Sequence, residues 1–258
     1  MPNKFSKEES IAVALLMGEI LLRSGAETYR VEDTIKRVGH MQGYKDIQPF
    51  VTPTLIMVGD SSSDNKFSML RIKSRSTNLS KIAAISDFSY NYSNKDHSLE
   101  DLLEYLNKIK NKPAYNKYSV IAATGITSAC FTVMLGGSIH DFIASIFIGS
   151  TAMYGYQYLD KHYSSFFLSN AFAGFLVGGL ACLAGMFYKS EVDKVIVGAI
   201  MPFVPGLSFT NGIRDFLSGD LISGNSRIAE AVMIGSSVAL GVGVVLKLVV
   251  MLQGRWWS

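Results

Sequence analysis

The residue types with the most chemical potential lie between positions 201 and 220, MPFVPGLSFTNGIRDFLSGD. Proline removes a backbone donor and clashes with the turn before it, so Pro202 and Pro205-Gly206 open the hydrogen-bond ladder of any helix there. A helix restarting at Gly206 presents unpaired N–H groups and positive partial charge, which suits a carboxylate. Ser208 and Thr210 add hydroxyls and Asn211 an amide. The candidate substrate-binding residues are therefore Pro205, Gly206, Ser208, Thr210, Asn211 and Arg214. Asn211 stands three and four residues before Arg214 and Asp215, so all three share one helix face. Asp215, with Asp220 and Glu230 further on, is the candidate gate or proton relay. The plainer alternatives are a proline kink and an interfacial ion pair.

The elements around this stretch read as a membrane domain. Residues 1–117 hold 17 of the 24 Lys/Arg and 14 of the 21 Asp/Glu, and the rest of the chain holds seven of each. Residues 118–140, 142–159 and 163–188 contain no charged residue, and each approaches the length of a bilayer crossing. With 192–214 and 228–252 they predict five crossings, the fourth broken. Val192 to Pro202 covers about 15 Å and Gly206 to Arg214 about 12 Å, so the break falls near mid-bilayer. Lys/Arg residues near the ends number seven on one side and three on the other, which orients the N-terminus to the cytoplasm. Trp256 and Trp257 would sit in the outer aromatic belt. Gly174 with Gly178, and Gly235, Ala239 and Gly243, are spaced for close helix packing. No signal peptide is expected, since the first apolar stretch, Ile11–Leu22, is short and contains Gly18 and Glu19.

The first 115 residues read as a cytoplasmic α+β head domain and residues 116–258 as the membrane domain. Helices are predicted over 8–22, 26–38, 79–92 and 98–110, the last opening at Ser98 and Asp101. Strands are predicted over 50–58 and 66–72, joined by GDSSSDN. The head has no G-x-S-x-G elbow, Walker A loop or metal-ligand spacing, so neither catalysis, cofactor nor metal is expected. A net charge of +3 argues against nucleic acid, and Cys130 and Cys182 have no disulfide or metal spacing.

Three stretches, LLRSGAETYRVEDTIKRV (21–38), RSTNLSKIAAIS (75–86) and VPGLSFTNGIRDFLSGDLISGNSRIAEA (204–231), resemble the threonine/serine exporter family. By that resemblance Pro205, Gly206, Asn211, Arg214, Asp215, Gly219, Asp220, Arg227 and Glu230 match the membrane motif. Ser24, Gly25, Glu27, Thr28, Arg30 and Glu32 match the head motif, with Glu27, Arg30 and Glu32 as its candidate functional groups. The resemblance implies a proton-driven exporter in the inner membrane for small hydroxy amino acids, some split pairs carrying dicarboxylates such as succinate. A head with five crossings resembles the longer chain of a split pair, which implies a short membrane partner subunit, lipid contact and a higher oligomer. Pro202 departs from the family pattern by adding a second helix breaker. A membrane scaffold or sensor whose head recruits a partner is the competing class, and a head-borne hydrolase a third.

Overall fold

The computed structural model describes residues 5–60, 67–91, 98–113, 115–163, 165–187 and 191–252. In chain order these form α1 (Lys7–Arg23), α2 (Thr28–Met41), β1 (Ile47–Thr52), β2 (Leu55–Asp60), β3 (Phe67–Arg71), α3 (Leu79–Asn91) and α4 (Leu99–Asn111). There follow α5 (Lys117–Met134), α6 (Ile139–Tyr163), α7 (Phe166–Phe187), α8 (Val192–Ile200), α9 (Gly206–Leu217) and α10 (Leu221–Leu252). Two compact units emerge from their contacts. One combines Met1–Ala114 with Leu207–Ile228, and the other combines Tyr115–Gly206 with Ala229–Ser258.

In the first unit α1 starts at a capping box. Ser6 Oγ accepts from the Glu9 amide at 3.2 Å, and Glu9 Oε2 accepts from the Ser6 amide at 2.8 Å. The same device opens α4, where Ser98 and Asp101 satisfy each other's backbone amides. Met17, Leu21, Val31, Ile35, Leu102 and Leu106 are fully buried together in the core. The sheet is an antiparallel meander in the order β1-β2-β3, with Thr52 opposite Leu55. The single strand expected over 50–58 is thus two strands. Pro53 and Thr54 make the turn, hidden in sequence because only these two residues separate the strands. Of the expected connection GDSSSDN, residues 61–65 lie outside the described residues, as do Trp256 and Trp257.

In the second unit α5 and α6 cover the stretches expected as crossings 118–140 and 142–159, with their boundary moved to 135–138. Helix α5 stops at Met134, because Gly136 takes φ +83° and the Gly137 amide closes back onto the Thr132 carbonyl at 2.9 Å. Helix α6 then starts after Ser138, whose hydroxyl donates to Asp141 Oδ2 at 2.8 Å. Where α5 and α6 meet, the Thr132 and Ser145 hydroxyls pair at 2.7 Å. Gly174 and Gly178 of α7 lie against the α10 backbone at Val238 and Val242, where a Cβ would collide or crowd. Gly235 and Gly243 face open space instead, so only half of the small-residue pattern serves this packing.

Among the described residues two helices, α7 and α10, are long and apolar enough to cross a membrane, and the bent pair α8–α9 adds a third if counted as one crossing. The break in that pair is real. Helix α8 ends at Ile200, a 3-10 turn covers Met201–Phe203, and Val204 is extended at ψ 128° ahead of Pro205. Helix α10 begins at Leu221 rather than 228, for a reason that belongs to the site.

Candidate functional site

Two glycine turns in the first unit end α1 and α9. Gly25, at φ +87°, ends α1 in a Schellman turn: its amide and that of Ala26 donate to Leu22 and Leu21 at 3.2 and 3.0 Å. Gly219, at φ +85°, ends α9 the same way, its amide and that of Asp220 reaching the Phe216 and Asp215 carbonyls at 3.0 and 2.9 Å. Asp220 then caps α10, accepting the Ser223 amide on Oδ1 at 3.0 Å. The dipeptide Gly-Asp is therefore a helix stop followed by a helix start, which is why α10 begins early.

Four consecutive residues, from Gly25 in the first turn to Thr28, are each held by α9 or α10. Asn211 Nδ2 donates to the Gly25 carbonyl at 2.9 Å, and Arg227 Nη2 to the Ala26 carbonyl at 2.6 Å. Arg214 Nη1 donates to Glu27 Oε1 at 2.6 Å. Asp215 Oδ1 accepts from both the amide and the hydroxyl of Thr28, at 3.2 and 2.8 Å. Behind it Arg227 Nε stands 2.9 Å from Asp215 Oδ2, with only 4% and 0% of these side chains exposed. That contact is a close ion pair rather than an N–H aimed along a hydrogen bond.

The Thr28 hydroxyl has a second carboxylate neighbour, Asp220 Oδ2 at 2.9 Å. A hydroxyl has one proton to donate, so it can satisfy one carboxylate. Both contacts are hydrogen bonds only when one carboxyl carries a proton itself. The cluster as a whole is balanced, with Glu27, Asp215 and Asp220 set among Arg30, Arg214 and Arg227.

Burial works to raise the Glu27 pKa, but its own backbone amide, the Arg214 hydrogen bond and the Arg30 and Arg214 charges outweigh it, leaving a net lowering. Glu32 goes the other way. Burial raises it and Asp220 adds to the rise, against the Val51 amide, which donates to Oε1 at 3.0 Å, and the charge of Lys36. Arg30 lies 3.8 Å from Glu27 and donates to Ser86 Oγ at 3.1 Å.

The model of the ThrE family, described as "Putative threonine/serine exporter", matches residues 12–249. The chain belongs to the ThrE family. It is similar to the "Probable succinate transporter subunit YjjP" of Klebsiella aerogenes, at 23% identity over 86% of this chain and 87% of that protein. It is equally similar to the protein of that name from Escherichia coli strain K12, at 23% identity over 90% of this chain and 91% of that protein. No solved structure matches it. A ThrE chain with apolar helices of this length is a membrane transport protein.

Within this ThrE chain the structure gathers Glu27, Arg30, Asn211, Arg214, Asp215 and Asp220 into one network. Asn211, Arg214 and Asp215 do share a helix face, yet each bonds to the 25–28 segment rather than to one another. Thr28 and Arg227 had no assigned role in the sequence reading, although both fall in the family motifs. The residues at the break itself stand apart. Thr210 is exposed and Ser208 half-buried, and the Gly206 amide is taken by the Val204 carbonyl at 2.8 Å. Pro205 lines a cavity of about 370 Å³ whose other walls include Ile200, Phe203, Gly235, Ala239 and Gly243, all apolar. Glu230 is half-buried three residues beyond Arg227. Among the described residues no group of His, Cys, Asp and Glu has the arrangement of a metal site.

Proposed function

We propose that this ThrE chain is the head-bearing subunit of a proton-coupled exporter of small carboxylate-bearing metabolites. It would sit in the inner membrane with the head in the cytoplasm, acting with a short membrane partner subunit. Threonine and serine are the first cargo of this reading, in keeping with the family description. The observation that carries it is the single Thr28 hydroxyl between Asp215 and Asp220. One added proton completes both hydrogen bonds and draws the 25–28 segment onto α9. Losing that proton leaves two carboxylates competing for one donor, which loosens the segment. Because α9 is the helix that restarts after Pro205, a change in its hold on the 25–28 segment is felt along the broken crossing.

Arg214 supplies the cargo chemistry. Its side chain is 55% exposed while bonded to Glu27, so a cargo carboxylate can exchange with that of Glu27 on the same guanidinium. A dicarboxylate is the second reading. The printed names of both relatives favour it, and so does the flanking of Glu27 by two half-exposed guanidiniums, Arg30 and Arg214. The test is uptake by vesicles holding both subunits, with and without a pH gradient, for threonine, serine and succinate. Gradient-dependent movement of one of them supports the proposal, and no movement of any of them defeats it.

A further inference from the structure

The head carries a second polar feature that the transport reading does not use. A cavity of about 340 Å³ opens beside the end of α1, with Arg23, Arg75, Lys81 and Lys110 in its walls along with Ser24 and Ser76. Among the described residues no carboxylate lines it. Glu19, 6% exposed, pairs with two of these cations, Arg23 Nε and Lys110 Nζ, each at 2.8 Å. Lys81 Nζ donates to the Lys110 carbonyl at 2.6 Å, at the C-terminal end of α4.

These bonds orient the cations without exhausting them. An ammonium has three donors and a guanidinium five; Lys81 and Lys110 each commit one N–H to the contacts above, and Arg23 Nε meets Glu19 as a close ion pair rather than an aimed hydrogen bond. Among the described residues that line it, the cavity brings four cationic side chains together, tempered by Glu19 and by the partial negative ends of α1 and α4. A cleft lined by one sign of charge concentrates the opposite sign. The serines add neutral donors, and the Arg75 fork matches the paired oxygens of a phosphate or carboxylate. The volume is at the small end of ligand sites.

We propose that this cavity binds a small soluble oxyanion of phosphate or dicarboxylate type. The site is separate from the Thr28 cluster but adjoins it along the chain. The Ser76 amide donates to the Arg23 carbonyl at 2.8 Å and the Asn78 amide to the Ser24 carbonyl at 3.0 Å, so the cavity wall is tied to the residues just before Gly25. An occupant would thereby stiffen the segment that Asn211 and Arg227 grip.

The experiment uses the full chain in nanodiscs of zwitterionic lipid and follows its thermal midpoint against inorganic phosphate, succinate and, at matched ionic strength, sodium chloride. The expected result is a saturable rise with phosphate or succinate and none with chloride; which of the two acts identifies the oxyanion. Arg75→Gln and Lys81→Gln should each raise the half-saturating concentration about tenfold, the loss expected for one charge-assisted hydrogen bond. Arg75→Lys, which keeps the charge, controls for folding and should fall between wild type and Arg75→Gln. An equal rise with chloride, no rise with either oxyanion, or unchanged half-saturation in both glutamine variants overturns the site. None of these readings involves transport, so the outcome is independent of the exporter proposal.

Discussion

The carboxylate of Asp215 caps a helix that begins 187 residues earlier, accepting the amide and hydroxyl of Thr28 at the start of α2. The first amides of a helix have no partner within it. The residue placed to cap α2 is Glu27, but its side chain makes no cap bond, being drawn instead to Arg214. Asp215 takes over that role from a distant element. The same carboxylate neutralises buried Arg227, so the helix start, the ion pair and the 25–28 segment depend on one side chain.

Replacing Asp215 by Asn should keep an oxygen for the α2 cap but strand a buried guanidinium. Breaking a buried pair on one side costs on the order of 3–5 kcal/mol. The thermal midpoint of Asp215→Asn should fall steeply, whereas Asp33→Asn, which breaks the partly exposed Asp33–Arg37 pair, should barely move it. Adding Arg227→Met to Asp215→Asn should recover most of the loss. If the double variant is no better than the single one, the ion pair is not the source of the cost.

Thr28 separates the proton argument from packing. Thr28→Val keeps shape and leaves both carboxylates facing a methyl group, at a cost of about 1–3 kcal/mol for lost partners. Thr28→Ser keeps the hydroxyl. If Thr28 links proton binding to cargo movement, uptake by Thr28→Val should lose its dependence on the pH gradient while Thr28→Ser retains it. Equal gradient dependence in the two variants would remove the hydroxyl from the mechanism.

The prolines made the broken helix legible in the sequence, whereas the change in charge density near residue 115 gave no sign that Leu207–Ile228 would join the N-terminal unit. Helix ends were less legible. Asp220 reads in sequence only as a candidate gate or relay carboxylate, whereas its amide closes α9 and its Oδ1 opens α10. The turn at Pro53 and Thr54 is so short, with Thr52 paired directly to Leu55, that the two strands read as one extended run in sequence. The partnership of residues 25–28 with 211–227 could not be derived from periodicity, which reports only neighbours along the chain. The family resemblance named both stretches without saying that they touch. The expectation of bare amides at Gly206 failed locally, since a turn to Val204 uses the first of them.

Glu27 and Glu32 should tilt the pH dependence of stability in opposite directions. The Glu27 pKa is lowered in the folded protein from its ordinary 4.5, so its stabilisation is present at neutral pH and fades as pH falls through the lowered value. Glu27→Gln should therefore lower the thermal midpoint at pH 7, and the gap should close in acid. The loss should lie near or below the low end of about 1.5–3 kcal/mol for a charged hydrogen bond, because Arg214 is half-exposed. The Glu32 pKa is raised, so its contribution is complete below 4.5 and is lost as pH rises through the folded value. Glu32→Gln mimics the protonated form and should gain on wild type as pH rises. Parallel midpoint curves for wild type and both variants would contradict both assignments.

The break between α8 and α9 can be tested without touching the polar network. Pro202 and Pro205 deny the backbone two donors, and Pro205 holds Val204 extended. In Pro202→Ala/Pro205→Ala the amides return and the helix can close across 201–206, with a gain of up to about 3 kcal/mol for each proline that sits in a helix interior. Amide exchange at 203–207 should slow and the thermal midpoint should hold or rise, since Asn211, Arg214 and Asp215 keep their partners. Uptake should nonetheless be lost, because a continuous helix no longer has a joint through which the hold on α9 can act. A variant that is stable, protected from exchange and fully active would mean that the prolines merely bend the helix, and that cargo moves by a route in which the opened backbone has no part.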